Sequence, residues 1–132
     1  MLLFVYNYES NLFMKIYFSG SIRGGREHQE LYSSIIGELK KYGEVLTEHL
    51  GDPNLSVIGS SGPVTEIYSQ DMSWLGESDI VIAEVSTPSL GVGYEIAWAE
   101  VLKKPTICLY KPEIGKSLSA MIAGSPHIKL YE

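Results

Sequence analysis

Two kinds of apolar pattern alternate along this chain, and together they predict alternating strands and helices. Residues 15–19 (KIYFS) and 79–85 (DIVIAEV) are largely apolar runs rich in β-branched or aromatic residues, which predicts buried strands. Between them, residues 27–42 place an apolar residue at every fourth position, with Glu and Lys on the opposite face. That periodicity predicts an amphipathic helix, and Gly43 is positioned to end it.

The rest of the chain continues this alternation. Residues 50–63 are rich in Gly, Ser, Pro and Asn, which predicts a long loop, and loops of that length in compact domains are often functional. The pattern further predicts strands at 44–47, 105–110 and 127–131, and helices at 65–76, 94–103 and 117–123.

Strands that are apolar throughout and alternate with helices are typical of a parallel sheet covered by helices on both faces. Right-handed crossovers make the flavodoxin-like strand order 2-1-3-4-5 the simplest topology. We therefore predict an α/β fold over residues 14–132: a single domain with a doubly wound, five-stranded parallel sheet. Residues 1–13 are expected to form a loose extension before it. Ligands of such sheets bind where the strand order reverses, here between the first and third strands.

Composition supports one globular domain and narrows its partners. The 132 residues match a single domain, and 45% apolar with 20% charged residues are ordinary globular values. With 16 acidic and 10 basic residues, the net charge is −6, which argues against nucleic acid as a partner. No apolar run approaches the ~18–20 residues of a membrane span, so no membrane association is expected.

The cysteine and histidine content argues against disulfides and metals. Cys108 is the one cysteine, so a disulfide framework is excluded and a reducing, cytoplasmic location is expected. His28, His49 and His127 are scattered at spacings that do not match a metal site. We expect no metal and no other cofactor.

The glycine-rich segment 19–26 (SGSIRGGR) follows the first predicted strand. Its glycines allow backbone N–H groups to approach an anion, the helix after it offers its positive end, and Ser21 and Arg23 add donors. It is not a Walker A loop, because no Gly-Lys-Ser or Gly-Lys-Thr follows. Phosphate binding is one interpretation, and a tight strand–helix turn with a solvated arginine is the other.

A second glycine-rich segment, 89–95 (SLGVGYE), follows the third predicted strand. Gly91 and Gly93 fit the start of a dinucleotide fingerprint, but Ile96 stands where its third glycine belongs. Glu95 is expected in the first turn of the third predicted helix, where a carboxylate is stabilised as the anion. That position suits a nucleophile or a helix-capping charge, and composition alone favours the capping charge.

Three further side chains are candidates for chemistry. Asp71 shares a helical face with Ile67 and Leu75, and an acid on an apolar stripe is costly unless it is paired or functional. Tyr17 lies in the first predicted strand and His49 just past the second, both near the carboxyl edge of the sheet. Taken singly, Tyr17 is most simply a core aromatic and His49 a loop histidine.

Two carboxylates, a tyrosine and a phosphate cradle around one crevice indicate cleavage of a glycosidic bond in a phosphorylated sugar. One carboxylate can attack the anomeric carbon while the other protonates or orients the leaving group. The chain over residues 15–123 resembles the 2′-deoxynucleoside 5′-phosphate N-hydrolases, a branch of the nucleoside 2-deoxyribosyltransferase superfamily. The resemblance is carried by the segments IYFSGSIRGGRE, YGEVLTEH, QDMSWLGESDIVIAEVSTPSLGVGYE, ICLY and LSAMI.

The resemblance implies an N-glycosidase that releases the free base and 2-deoxyribose 5-phosphate from 2′-deoxynucleoside 5′-monophosphates. Glu95 would be the nucleophile that forms a 2-deoxyribosyl ester, and Asp71 the acid that helps the base leave and contacts the sugar. Tyr17 would tune the nucleophile and the attacking water, and His49 would lie on the base side.

The resemblance also implies a cradle for the 5′-phosphate and a homodimer. In the family, the counterpart of Ser119 reaches the site from a neighbouring subunit. The residues that match phosphate-cradling positions, or lie among them, are Ser21, Ile22, Arg23, Gly24, Ser89, Gly91 and Ser119.

Other activities remain open at this point. A nucleoside 2-deoxyribosyltransferase or a ribonucleotide N-glycosidase would use the same kind of site, and the segment GVGYE is also similar to phosphoribohydrolases with a glycine-rich loop before a glutamate. A nucleotide-sensing module without turnover is the non-enzymatic alternative. The joint presence of Glu95, Asp71 and Tyr17 argues against it, because binding alone needs none of the three.

Overall fold

The computed structural model describes residues 14–22, 28–54, 62–113 and 115–132. The strands are β1 (Met14–Ser19), β2 (Gly43–Val45), β3 (Ile80–Glu84), β4 (Thr106–Leu109) and β5 (Ile128–Tyr131). The helices are α1 (Gln29–Leu39), α2 (Val64–Glu77), α3 (Leu90–Val101) and α4 (Ala120–Ala123), with a 3₁₀ turn at Glu48–Gly51. The strands form one parallel sheet in the order β2-β1-β3-β4-β5, so the predicted topology is confirmed.

Helices cover both faces of the sheet, as predicted. On one face, the Tyr32 ring of α1 meets the Phe18 ring of β1 edge-on, with 5.7 Å between the ring centroids. On the other face, Leu75 of α2 and Ala99 of α3 pack against Tyr17 of β1. Successive side chains of a strand point to opposite faces, so adjacent residues of β1 contribute to different halves of the core.

The register of the central strands positions the site. β1 lies between β2 and β3, and Ser19 at the end of β1 is paired with Ala83 near the end of β3. The strand order therefore reverses at β1, and the segments that follow β1 and β3 leave the sheet at the same edge. Both glycine-rich segments start there, which is where ligands of such sheets bind.

The prediction that α3 begins near residue 94 is wrong. The helix begins at Leu90, because the Ser89 side chain caps it by accepting a hydrogen bond from the Val92 N–H at 3.3 Å. The two glycines that suggested a loop are helical in this context. Glu95 consequently lies in the second turn of α3 rather than the first, so the interpretation of Glu95 as a helix-capping charge is also wrong.

Other boundaries differ by a few residues. α1 ends at Leu39 rather than at 42, and its predicted start at residue 27 lies outside the described residues. The predicted helix 117–123 is reduced to the single turn of α4, which Ser119 caps by accepting from the Met121 N–H at 3.3 Å. The predicted extension 1–13 also lies outside the described residues. None of the helices in the described part of the chain has the length and apolar composition of a membrane span.

Candidate active site

A cavity of about 1050 Å³ opens at the carboxyl edge of the sheet, beside the point where the strand order reverses. Its walls come from the segment after β1, the 3₁₀ turn, α2, the β3–α3 loop with the first turns of α3, and the segment that leads into α4. Among its lining residues are the predicted site residues Ile22, His49, Asp71, Ser89, Gly91, Glu95 and Ser119.

The remaining predicted site residues do not line this cavity or cannot be located. Tyr17 is 1% exposed and lies in the core beneath it. Ser21 is fully buried; its N–H donates to the Tyr32 hydroxyl at 3.0 Å, and its own hydroxyl has no hydrogen-bond partner among the described residues. Arg23 and Gly24 lie outside the described residues.

Glu95 has the most perturbed carboxyl group of the cavity. Burial raises its pKa to about 7, and the negative charge of Asp71 acts in the same direction. The nearby hydroxyls of Tyr17 and Ser19 lower the pKa and partly offset burial. Ser19 is fully buried, and its hydroxyl has no partner within ordinary hydrogen-bond distance among the described residues. A carboxyl group with this pKa exchanges its proton near neutral pH, as a general acid or base does.

Tyr17 is placed beside this carboxyl group by the alternation of β1. Burial strongly raises the pKa of its phenol, and the charges of Glu95 and Asp71 raise it further. The phenol therefore keeps its proton and is able to donate it to the Glu95 carboxylate. The sequence interpretation of Tyr17 as a core aromatic is correct for its ring, while its hydroxyl faces the acidic group.

Asp71 projects from α2 on the face that packs toward the sheet. Leu75, one turn further on, is fully buried, and Asp71 itself is partly buried. Burial raises the pKa of Asp71, and the nearby imidazole of His49 lowers it. The His49 ring lies 5.7 Å from the Trp74 ring between centroids. The apolar stripe noticed in the sequence thus carries Asp71 to the cavity wall.

No group of three or more His, Cys, Asp or Glu side chains in the described ranges is arranged to hold a metal ion. The described lining residues bring carboxyl groups, hydroxyls, an imidazole and the ammonium group of Lys116 to the cavity.

The sequence of this chain has known relatives. Residues 16–118 match the sequence model of the family described as nucleoside 2-deoxyribosyltransferase. The chain belongs to this family. A 5-hydroxymethyl-dUMP N-hydrolase of Rattus norvegicus is 52% identical over 112 residues, which cover 83% of this chain and 69% of the relative. The protein of the same name from Homo sapiens is 47% identical over 112 residues, which cover 83% of this chain and 64% of the relative.

Solved structures agree with this membership at the level of the fold. A 2-deoxyribosyltransferase of Bacillus psychrosaccharolyticus matches with a TM-score of 0.65 and 19% identity over 89% of this chain and 85% of that one. A CMP N-glycosidase of Clostridium botulinum matches with a TM-score of 0.58 and 20% identity over 89% of this chain and 88% of that one. The resemblance to a nucleoside 2-deoxyribosyltransferase-like enzyme that was stated from the sequence is confirmed.

The cavity of this family member contains residues that the sequence reasoning missed. Tyr68 lies one turn before Asp71 on α2, so its place on the same face could have been predicted from helical spacing. Ser86 and Thr87 belong to the β3–α3 loop and line the cavity, and Glu84, just before them in the chain, is buried. Nothing in the sequence distinguished Glu84, because a glutamate at the end of a strand is ordinarily exposed.

The raised pKa of Glu95 predicts a pH profile. If the ionised carboxylate of Glu95 is the reactive form, the acidic limb of the pH profile of kcat/KM for base release should rise with an apparent pKa of about 7, measured between pH 5 and 9. Tyr17→Phe removes the hydrogen bond that lowers the pKa of Glu95, so the rising limb should move to higher pH. Tyr131→Phe, at an exposed tyrosine of β5, is the control. A limb near pH 4.5, or a downward shift in Tyr17→Phe, would contradict this assignment.

Proposed function

We propose that this protein hydrolyses the N-glycosidic bond of 2′-deoxynucleoside 5′-monophosphates, releasing the free base and 2-deoxyribose 5-phosphate. Membership of the family and the curated relatives named N-hydrolases support this activity. The observation that carries it is the pair of carboxyl groups, Glu95 and Asp71, whose pKa values are both raised in one cavity at the carboxyl edge of the sheet.

In the proposed mechanism the two carboxyl groups have different roles. The Glu95 carboxylate attacks the anomeric carbon, the C–N bond breaks, and a glycosyl ester forms on Glu95. Asp71 gives a proton to the departing base and then takes one from the water that hydrolyses the ester. Tyr17 holds the Glu95 carboxylate by its hydroxyl proton, and His49 lies on the side where the base leaves.

The proposed phosphate position is the end of the cavity formed by the first turn of α3. Ser89 and Gly91 lie there, and a helix N-terminus with free N–H groups favours an anion. The buried Ser21 hydroxyl is a further donor, and Ile22 lines the same cavity. From the sequence, we assign Arg23 and Gly24 to this cradle as well.

A panel of deoxynucleoside and ribonucleoside monophosphates, with the matching free nucleosides, tests the proposal by chromatography. Release of base together with 2-deoxyribose 5-phosphate supports it. Exchange of one base for another would identify a deoxyribosyltransferase, and base release from ribonucleotides alone would identify a ribonucleotide N-glycosidase. Tight binding with no product would identify a nucleotide-sensing module.

Arg23→Ala separates nucleotide use from the bare glycosidase reaction. A charge-assisted hydrogen bond to phosphate is worth about 1.5–3 kcal/mol, so kcat/KM for deoxynucleotides should fall about 10- to 100-fold. The slow turnover of free deoxynucleosides should barely change, because they present no phosphate to the guanidinium group. Equal losses on both substrates would mean that Arg23 supports the fold or the sugar instead.

We also propose that the chain acts as a homodimer in the cytoplasm. Ser119 lines the cavity of its own chain, and in the proposed dimer it serves the partner's site instead. Large apolar side chains on and near α3 and α4 are exposed, with Leu90 97% and Met121 83% exposed, and a partner surface would cover them. The free, buried Cys108 suits a reducing compartment.

Mixing two inactive variants tests the role of Ser119. Ser119→Asp retains a side chain able to cap α4 but repels a phosphate, and Glu95→Gln removes the proposed nucleophile. In a heterodimer of the two, one site has both Glu95 and a wild-type Ser119 only if Ser119 crosses the interface. Mixing should then restore activity to a substantial fraction of wild type, measured as base release after subunit exchange. No recovery in a verified heterodimer would place Ser119 in its own chain's site.

A further inference from the structure

A buried carboxylate that the proposed mechanism does not use lies behind the cavity. Glu84 is the last residue of β3 and is 2% exposed. Its Oε1 accepts the Ser86 N–H at 2.7 Å, and its Oε2 accepts the Ser86 hydroxyl at 3.0 Å. Both carboxylate oxygens accept hydrogen bonds from one residue of the β3–α3 loop. The Glu84 side chain therefore constrains the direction in which the chain leaves the sheet.

Ser86 is also hydrogen-bonded to a second segment of the chain. Its Oγ accepts the N–H of Lys111, the second residue after β4, at 2.8 Å. The chain from Lys111 leads into the stretch whose Lys116 and Leu118 line another part of the cavity wall. Glu84 therefore links two walls of the same cavity through one hydroxyl group.

Packing alone does not account for the burial of the polar groups of Glu84 and Ser86. An apolar side chain would fill the position of Glu84 without the desolvation that a buried carboxylate requires. The loop it holds is itself buried at Ser86 and Thr87, and the Thr87 hydroxyl has no hydrogen-bond partner among the described residues. The loop then ends at Ser89, the residue that caps α3. The bonded carboxylate thus holds a polar loop in place at the cavity wall.

We infer that Glu84 is a positioning residue that, through Ser86, holds the β3–α3 loop and the segment after β4 in the arrangement that binds the substrate's phosphate. This inference rests on the proposed function, because it takes the phosphate to bind beside Ser89. Glu84 itself does not line the cavity and acts only through Ser86 and the loop.

Isosteric variants at position 86 isolate the hydroxyl that makes the link. Ser86→Thr keeps it, whereas Ser86→Val has the same shape without it, so any crowding by the added methyl groups is common to both. Relative to Ser86→Thr, Ser86→Val should raise KM for a deoxynucleotide about tenfold, while kcat stays within about threefold, because only the binding arrangement is lost. Glu84→Gln, which loses the charge but keeps the size, should shift KM in the same direction. Turnover of the matching free deoxynucleoside should be equal in Ser86→Val and Ser86→Thr.

Thermal stability measured with and without the same deoxynucleotide gives a readout that does not depend on turnover. The nucleotide should raise the Tm of wild type and of Ser86→Thr by more than that of Ser86→Val. Equal KM values and equal nucleotide-induced Tm shifts in the two variants would overturn the inference, even if Ser86→Val has a lower Tm. A loss of kcat that is the same for nucleotide and nucleoside would overturn it too. Absence of base release from wild type would instead refute the proposed function, and the Tm comparison would still test the link.

Discussion

Glu95→Gln is expected to reduce base release from deoxynucleoside monophosphates by about 10⁴- to 10⁶-fold, the scale of loss when a covalent nucleophile is removed. Glutamine has the shape of glutamate but cannot form the glycosyl ester, so nucleotide binding should survive. Single-turnover chromatography measures the loss, and calorimetric titration with a deoxynucleotide measures binding. The control Glu38→Gln alters an exposed glutamate of α1 that pairs with Lys41 at 2.8 Å, and it should not change turnover. Turnover of Glu95→Gln near that of wild type would refute the covalent role.

The same variant has an expected effect on stability with a defined sign. The pKa of Glu95 is about 7 in the folded chain and 4.5 ordinarily, so the folded state holds this proton more tightly than the unfolded chain does. The contribution of this proton to the stability of wild type is therefore lost as the pH rises from 4.5 to about 7, and it does not return at higher pH. Glutamine has no proton to lose. The Tm of Glu95→Gln minus the Tm of wild type should therefore be larger at about pH 8 than at about pH 4. A variant that is inactive and yet more stable at high pH cannot be explained by misfolding.

Asp71→Asn is expected to reduce turnover about 10²- to 10⁴-fold, the usual contribution of a general acid. The loss should be largest for substrates whose base is a poor leaving group, because those depend most on protonation. Substrates with an activated base should lose much less. The measurement is kcat for a series of deoxynucleotides that differ in the basicity of the departing base.

A matched aspartate provides the control for that series. Asp79 accepts the Lys15 N–H at 2.8 Å at the amino end of β3, opposite the cavity, so Asp79→Asn should affect stability but not the dependence on leaving group. An equal loss for all bases in Asp71→Asn would indicate that Asp71 orients the sugar and does not transfer a proton.

The sheet and the location of the site could be predicted because they depend on local pattern. The largely apolar runs at 15–19 and 79–85 form strands that are buried on both faces, and right-handed crossovers then leave few strand orders. Asp71 was recognised as unusual because helical spacing puts it on an apolar stripe. The segments that carry the family resemblance include both glycine-rich segments and Asp71, so the sequence alone indicates the candidate carboxyl groups.

The start of α3 could not be predicted in the same way. Gly91 and Gly93 lower helix propensity, and a local reading places them in a loop. In the folded chain the Ser89 cap and the packing of Val92 and Ile96 against the sheet outweigh that propensity. The consequence bears on the site, because Glu95 lies in the second turn of α3, where it lines the cavity, rather than in a first turn.

The sequence by itself thus determined the strand order, the family and the identity of the candidate acids, since each follows from periodicity or from contiguous motifs. Only the tertiary structure decided how those acids behave. The pKa of Glu95 on α3 depends on burial and on Tyr17, which is distant in the chain and lies on β1. The link from Glu84 through Ser86 to the segment after β4 depends likewise on two parallel strands ending side by side. Electrostatic shifts and hydrogen bonds of this kind arise from distances between remote residues, and no local pattern encodes them.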